Sequence, residues 1–328
     1  MENFKDDLIF PVRNDYALPS FIHNPFNKDK VYNYGVICEM DGTFLNHYFH
    51  DMEWLLGLYA WSKYRFANQP VEAVVHSKKN KSKILHQILK TLFPKADFIQ
   101  KNRFSHKTNL KLGCSSLIKN AISTDRFYKL SNKGPDINKM LCQSIDISKK
   151  YFPEFLQSIY NSLSITPKKA PHKREDIVVT YIMRKAPRYL EKREELFDIL
   201  ESEFQVKVNP VYFEKLTFEE QVQTVANTDI LIGVHGNGLT NLLWLPEHGS
   251  AIELFPKKCH HYDYQVFCEI SDRYYFGFNS DDEESYVFHK GTRHKDFYGD
   301  PNTTIKNLNL DIFKEEFSKL LSEHLKVL

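Results

Sequence analysis

The stretch "DILIGVHGNGLTNLLWLPEHGSAIELFP", residues 229–256, places three glycines within six positions between two apolar runs. The runs "DILIGV" and "AIELF" are short and almost wholly apolar, which is typical of strands buried on both faces of a parallel sheet. Between them, a glycine-rich turn leads into "LTNLLW", which suits a short helix. The stretch therefore predicts a strand, a tight turn, a helix and a second strand of an α/β fold.

The sequence before this stretch continues the same alternation. "DIVVTYIM" (176–183) and "FQVKVNPVYF" (204–213) predict strands, and "EKREELFDILESEF" (191–204) has apolar residues at helical spacing. "TFEEQVQTVAN" begins a helix with a capping box, because Thr217 stands three residues before Glu220. Such alternation predicts a doubly wound parallel sheet, whose ligand crevice lies beyond the carboxyl ends of the strands.

The first half of the chain carries a weaker form of this pattern. "VEAVVHS" (71–77) and "ADFIQ" (96–100) flank the amphipathic "KSKILHQILKTLF" and predict a strand, helix and strand. The proline-containing, charged "SITPKKAPHKRED" suits neither kind of element and predicts a linker. We therefore expect two α/β domains, 1–167 and 168–328. The amphipathic tail "DIFKEEFSKLLSEHLKVL" predicts a terminal helix that packs back on the N-terminal domain.

Composition excludes several classes of protein. The 328 residues carry a net charge of +2, which gives no general field for nucleic acid or anionic membranes. The start lacks the apolar core of a secretory signal, and "WLLGLYAW" (54–61) is too short to span a bilayer. Five scattered cysteines form no Cys-x-x-Cys pair, which argues against a disulfide framework or zinc module. These features predict a soluble, cytoplasmic protein.

The glycine-rich turn predicts an anion site. A loop that leaves a parallel strand and enters a helix presents backbone N–H groups and the positive end of the helix dipole. Gly236 and Gly238 would let a phosphate approach the backbone, although tight packing alone would also explain them. A Walker loop is excluded because no lysine lies between Asp229 and Pro256. A diphosphate is the expected ligand.

A dinucleotide fingerprint fits this turn poorly. It would place a third glycine where the chain has Asn241, and it would lie on the first strand of its domain rather than the third. Glu253, at the end of the next strand, is predicted to accept hydrogen bonds from ribose hydroxyls. A nucleoside diphosphate therefore fits better, and an NAD-dependent oxidoreductase stays a less favoured alternative.

These residues resemble glycosyltransferase family 61, which includes plant xylosyl- and arabinosyltransferases and protein O-linked N-acetylglucosaminyltransferases. The family's usual core reads Gly-x-His-Gly-Ala-Gly-Leu-Thr-Asn, and here Asn237 replaces the alanine. "YIMRK", "FEEQVQTVANTD" and "GTFLNHYFHD" (42–51) also resemble family segments. The resemblance implies a GT-B fold of two Rossmann-like domains facing across a cleft, a nucleotide-sugar donor, inversion at the anomeric carbon and no obligatory metal.

Glycosyl transfer requires a stabilised diphosphate leaving group. Arg184 ends the first strand of the C-terminal domain, so its forked guanidinium suits phosphate oxygens, and Lys185 would assist it; a solvated basic turn is the plainer interpretation. His235 would donate to the diphosphate or the sugar, although a lone histidine is often structural. Further donors at the helix start are expected from Gly236, Asn237, Gly238, Leu239 and Thr240.

The transfer also requires a base for the acceptor hydroxyl, expected from the N-terminal domain. "NHYFHDMEWLL" places His47, His50 and Asp51 on one face of a helix. A carboxylate beside an imidazole accepts a proton well in a dry cleft. Asp51 is the predicted base and His50 the second choice; a buried pair that braces the helix is the structural alternative.

No metal site is predicted. Adjacent ligands in "CHHYDYQVFC" (259–268) rarely fit one tetrahedral ion, and a loop followed by a helix explains the segment. "YDY" is not the Asp-x-Asp of manganese-dependent transferases. The predicted function is metal-independent, inverting transfer of a xylose-, N-acetylglucosamine- or arabinose-class sugar from a UDP-sugar to a hydroxyl of a glycan or glycoprotein. A non-catalytic nucleotide-sugar-binding module is the alternative.

Overall fold

The computed structural model describes residues 22–23, 31–32, 35–38, 48–66, 69–76, 82–100, 135–256, 259–279, 286–289 and 303–326. These residues form two compact units that divide between Ile159 and Tyr160. The division falls inside a long helix, a short distance before Pro167. In the part of the chain that the structure describes, every helix is too short or too polar to span a bilayer.

The first unit contains a small parallel sheet. Its strands follow the order β3-β4-β5, and a separate antiparallel pair, β1-β2, precedes them. The strands are β1 (Ile22–His23), β2 (Val31–Tyr32), β3 (Gly35–Cys38), β4 (Ala73–His76) and β5 (Asp97–Gln100). The helices are α1 (Tyr48–Arg65), α2 (Lys83–Leu92) and α3 (Pro135–Ser162), the last of which ends in the second unit.

The predicted strand, helix and strand of the first unit are confirmed as β4, α2 and β5. Ser82 caps α2, because its hydroxyl accepts the N–H of Leu85 at 3.2 Å. The apolar face of α2 buries Leu85, Ile88, Leu89 and Leu92. On α1, the ring of Tyr59 packs edge-on against Phe155 of α3 with the ring centroids 5.7 Å apart.

The second unit is built on a six-stranded sheet in the order β11-β10-β9-β8-β6-β7. Neighbouring strands are parallel except for the antiparallel edge strand β11. The strands are β6 (Val178–Ile182), β7 (Lys207–Val211), β8 (Ile230–Val234), β9 (Ser250–Phe255), β10 (Tyr274–Asn279) and β11 (Tyr286–His289). The sheet confirms the α/β class, and the predicted strands of this half are β6 to β9.

The helices of the second unit join these strands. They are α4 (Arg193–Asp198), which continues as a π-helix over Ile199–Glu203, α5 (Phe218–Ala226), a 3₁₀-helix (Asn237–Trp244), α6 (Asp263–Ser271) and α7 (Leu310–Lys326). The capping box of α5 is present: Thr217 Oγ1 accepts the N–H of Glu220 at 3.3 Å, and Glu220 accepts the N–H of Thr217 at 2.7 Å. The loop followed by a helix predicted over 259–268 is also found.

The strand order reverses between β6 and β8. The first strand of the unit, β6, lies between the second, β7, and the third, β8. The connection after β6 therefore runs toward β7, whereas the connection after β8 runs the other way, toward β9. Loops that follow β6 and β8 therefore diverge and leave a crevice at the carboxyl ends of these strands. Doubly wound sheets typically bind their ligands at such a crevice.

The terminal helix packs within its own unit. Phe313, Phe317, Leu320 and Leu321 of α7 are buried in the same apolar core as the sheet strands and Phe204. The rings of Phe204 and Phe317 meet edge-on at 4.8 Å. The helix was predicted to pack on the N-terminal domain; its apolar face is instead covered by the sheet that precedes it in sequence.

A buried polar cluster braces the amino ends of β6 and β8. Asp229 accepts the N–H of Val178 at 2.6 Å, bonds with His248 at 2.8 Å and forms an ion pair with Lys168. Burial would raise the pKa of Asp229, but the bonds from His248, Lys168 and Val178 lower it below its ordinary value. This cluster lies at the opposite end of the sheet from the crevice, and it is structural.

Candidate functional site

The crevice is bordered by the residues that follow β6 and β8. Ile182 ends β6 and Val234 ends β8, so Arg184 and His235 emerge side by side. Arg184 Nη1 donates to the carbonyl of His235 at 3.1 Å. Both residues therefore stand at the edge of the sheet where the ligand crevice was predicted, and their contact with a ligand stays a prediction. Lys185 is exposed.

Gly236 makes room for two guanidinium groups. Its φ is +145°, a conformation in which residues with a Cβ are strained. A Cβ there would lie 1.8 Å from Arg184 Nη1 and 3.1 Å from Arg188 Nη1. Burial, and then the charge of Arg188, lower the pKa of Arg184. Because a guanidinium stays charged in proteins, two positive charges meet at the bare backbone of this loop.

The glycine-rich loop enters the 3₁₀-helix at Asn237. The first N–H groups of a helix have no acceptor inside the helix, so this end adds donors beside the arginines. Thr240 Oγ1 donates to Asn237 Oδ1 at 3.5 Å, and Asn241 Nδ2 donates to the carbonyl of Gly238 at 3.0 Å. The side chain of Leu239 is buried, so only its backbone can face a ligand. Asn241 thus bonds within its own helix.

Beneath the loop, His235 belongs to a buried chain of hydrogen bonds. Its Nδ1 lies 2.5 Å from Glu253 Oε1, and the hydroxyl of Tyr275 donates to Glu253 Oε2 at 2.8 Å. Burial lowers the pKa of His235 to about 4 and raises that of Glu253 well above its ordinary range. The chain therefore holds His235 in one orientation with its ring uncharged at neutral pH.

The ribose role predicted for Glu253 does not fit this arrangement. Glu253 pairs in register with Gly233 of β8 and Gly277 of β10, well inside the sheet rather than at the end of its strand. Its two carboxylate oxygens are bonded to His235 and to Tyr275, so neither is left to accept from a ribose hydroxyl. Glu253 instead orients His235.

Aromatic and polar side chains surround the His235 ring. Phe255 stacks on it with ring centroids 5.5 Å apart, and His261 stacks at 4.8 Å. Tyr264 meets the ring edge-on at 5.6 Å. Nitrogens of His235 and His261 and a carboxylate oxygen of Asp263 all lie within 4.8 Å of one another. Burial lowers the pKa of His261 to about 4.

In the first unit, the two candidate bases lie next to each other on α1. His50 Nδ1 pairs with Glu53 Oε2 at 2.5 Å, and His50 also lies close enough to Asp51 to act on its charge. Asp51 is 2% exposed, and its Oδ1 has no hydrogen-bond partner among the described residues. Burial raises the pKa of Asp51 to about 6, although the Ser82 hydroxyl and the nearby His50 lower it. His47 lies outside the described residues.

Four residues near His235 were not predicted from the sequence. Arg188 lies four positions after Arg184 and had no motif to mark it. Tyr275 comes from β10, which was not predicted. His261 and Asp263 were considered only with their sequence neighbours. Arg188 had one detectable signal: a second arginine just beyond a strand end that points at the crevice.

Comparison with protein families shows to which family the chain belongs. The model of the family described as "Glycosyltransferase 61" matches residues 46–252, well over half of the 328 residues. The chain belongs to glycosyltransferase family 61. The match runs through both units and includes Asp51, Arg184 and the loop around Gly236, whereas Glu253 lies one residue beyond it. Membership of glycosyltransferase family 61 argues against the oxidoreductase alternative.

Relatives in this family share a shorter segment with the chain. The EGF domain-specific O-linked N-acetylglucosamine transferase of Drosophila melanogaster is 39% identical over 105 residues, which are 32% of this chain and 20% of the relative. Transferases of the same name from Xenopus laevis and Mus musculus are 38% and 36% identical over 107 residues, with the same shares. The match therefore spans only a fifth of each relative's length.

Proposed function

We propose that this protein transfers a sugar from a UDP-sugar to a hydroxyl group of a glycan or glycoprotein. One observation carries the proposal: in a member of glycosyltransferase family 61, Arg184 and Arg188 meet over Gly236 at the switch point of the sheet. Two fixed positive charges beside a helix start match a diphosphate. We further propose the GT-B arrangement, which the parallel sheets of both units support.

The donor side of the reaction follows from these contacts. As the bond between the anomeric carbon and the diphosphate oxygen breaks, that oxygen gains negative charge. Arg184, Arg188 and the N–H groups at the 3₁₀-helix start are already fixed where this charge develops, so little reorganisation is needed. His235, held by Glu253, donates a hydrogen bond to the diphosphate or sugar.

The acceptor side requires a proton acceptor, and we propose Asp51. Its pKa of about 6 makes it ionised yet basic at neutral pH. Asp51 takes the proton of the acceptor hydroxyl while the hydroxyl oxygen bonds to the anomeric carbon from the face opposite the leaving UDP. One carbon–oxygen bond forms as another breaks, and the configuration at that carbon inverts.

The relatives' names favour N-acetylglucosamine as the sugar. Transferases that share the segment of 105 to 107 residues are named for O-linked N-acetylglucosamine. We therefore propose UDP-N-acetylglucosamine as the first donor to test, with the xylose and arabinose donors of the wider family next.

Calorimetric titration with UDP tests the donor site. Arg184→Ala should weaken UDP binding by about 1.5–3 kcal/mol, the range for charge-assisted hydrogen bonds. Arg174→Ala is the matched control, because Arg174 is an exposed arginine at the amino end of β6. It should leave UDP affinity unchanged. Equal UDP affinity in the folded Arg184→Ala variant and in the wild type would overturn the proposed site.

A further inference from the structure

We propose that His235, His261 and Asp263 bind one divalent transition-metal cation of the zinc type. Two imidazole nitrogens and a carboxylate oxygen lie within 4.8 Å of one another. The fold brings them together from three places: the end of β8, the loop after β9 and the first residue of α6. Two histidines and one carboxylate are the protein ligands of zinc sites that keep an open coordination position.

The surroundings of His235 match those of a metal ligand. Histidines that bind metals usually donate their second ring nitrogen to a carboxylate, which fixes the ring and makes it more basic. His235 Nδ1 lies 2.5 Å from Glu253 Oε1, and Tyr275 holds the other carboxylate oxygen at 2.8 Å. A cation would select the ring tautomer with the proton on Nδ1, so that Nε2 offers the cation its lone pair instead of donating to a diphosphate or sugar. The buried carboxylate is thus the outer partner of a first ligand.

Small side-chain rotations complete the coordination geometry. Tetrahedral zinc with bonds of about 2.0–2.1 Å to nitrogen places neighbouring ligand atoms roughly 3.3 Å apart. The two ligand atoms that lie farthest apart, at up to 4.8 Å, must therefore approach each other by about 1.5 Å. His261 and Asp263 are partly exposed and lie in a loop and at a helix start, so both can rotate, whereas Phe255 and Glu253 hold His235. Partial exposure also gives the cation a path to the site.

Charge and ligand type decide which cation fits. Asp263 supplies one negative charge for a dication, and Glu253 supplies a second once cation binding displaces the proton that its raised pKa retains, while Arg184 and Arg188 oppose the cation. Two nitrogen ligands favour zinc-like ions over Mg²⁺ and Ca²⁺, which prefer oxygen. The sequence predicted no metal because it considered Cys259 to His261 as adjacent ligands and had no reason to add His235. The cation is not required for the proposed donor contacts, because the arginines already supply positive charge.

Cobalt titration of the chelator-treated full chain, without any nucleotide, tests the site. Co²⁺ should bind at one ion per chain with visible absorption, Zn²⁺ should displace it, and Mg²⁺ should not. His261→Ala and Asp263→Asn should each weaken Co²⁺ binding at least tenfold. Tyr275→Phe should weaken it by about ten- to a hundredfold, as expected for an outer partner. His172→Ala, which removes an exposed histidine, should change nothing.

The titration separates this proposal from the proposed function. Unchanged Co²⁺ affinity in both His261→Ala and Asp263→Asn, or the absence of stoichiometric binding, would overturn the metal site and leave the UDP result untouched. Thermal unfolding curves of each variant show whether it is folded. His261 and Asp263 are partly exposed, so replacing them should preserve the fold.

Discussion

Replacing Asp51 by asparagine should reduce turnover while stabilising the protein at neutral pH. The pKa of Asp51 is about 6, which is about two units above its ordinary value of 3.8. Each unit corresponds to 1.36 kcal/mol, so ionising this buried carboxyl costs the folded state about 3 kcal/mol. Asparagine has no such cost. Its buried amide, however, lacks a partner where Oδ1 stands, and this lowers the gain in stability by about 1–2 kcal/mol.

The sign of the pH dependence follows from the raised pKa. The folded state binds the Asp51 proton more tightly than the unfolded chain, so the destabilisation is complete above pH 6. It fades as the pH falls from about 6 to 4 and is absent below. Asp51→Asn should therefore be more stable than the wild type by about 1–2 kcal/mol at pH 8, and less stable at pH 4.

Urea unfolding at both pH values, combined with transfer assays, checks this prediction. Turnover should fall by about 10²–10⁴, the range for a lost general base, with UDP affinity unchanged. Asp146→Asn, an exposed carboxylate on α3, should change neither quantity. A variant that is less stable at pH 8 and fully active would refute the base and favour a structural role. If His50→Ala abolishes transfer and Asp51→Asn does not, the proposed role of Asp51 as the base is also refuted.

Two further predictions concern the loop and the opposite end of the sheet. Gly236→Ala should weaken UDP binding by roughly 1.5–3 kcal/mol, as Arg184→Ala does, because the added methyl group would displace Arg184 Nη1 from 1.8 Å away; unchanged affinity by calorimetry would contradict this. Asp229→Asn should lower the free energy of unfolding at pH 7 by about 3 kcal/mol, since Lys168 and His248 lose a buried partner. The lowered pKa of Asp229 means that this contribution is fully present above the ordinary pKa of 3.8 and is lost as the pH falls through the lowered pKa, so wild type and variant should still differ at pH 4 and converge only at lower pH.

Local periodicity was sufficient to predict the core of the fold. Strands β6, β8 and β9 are short apolar runs, and the capping box of α5 depends on residues three positions apart, which are visible in any window of sequence. The residues that cover the apolar face of α7 could not be predicted in this way. An amphipathic helix shows which of its faces is buried, but the residues that cover this face are distant in sequence.

The same distinction separates the site residues that were predicted from those that were missed. Arg184 and His235 follow strands whose carboxyl ends must share an edge, so topology alone places them at the crevice. His261 reaches His235 only because β9 ends beside β8 and the chain then turns back. Glu253 was assigned to the ribose because strand ends were estimated from the run "AIELF", whereas the register places this residue opposite Gly233 and inside the sheet.

The three glycines of the turn show why a motif can identify a site for the wrong physical reason. Gly233 and Gly238 flank one side chain: a Cβ on either would lie 2.9 Å from an atom of Ile182. They permit the close approach of β6, β8 and the 3₁₀-helix, and this is a packing requirement. Gly236 alone has a positive φ, and the space beside it is filled by Arg184. In the proposed site, the bare backbone therefore acts on an anion only indirectly, because it allows the end of β6 to place a guanidinium group against the end of β8.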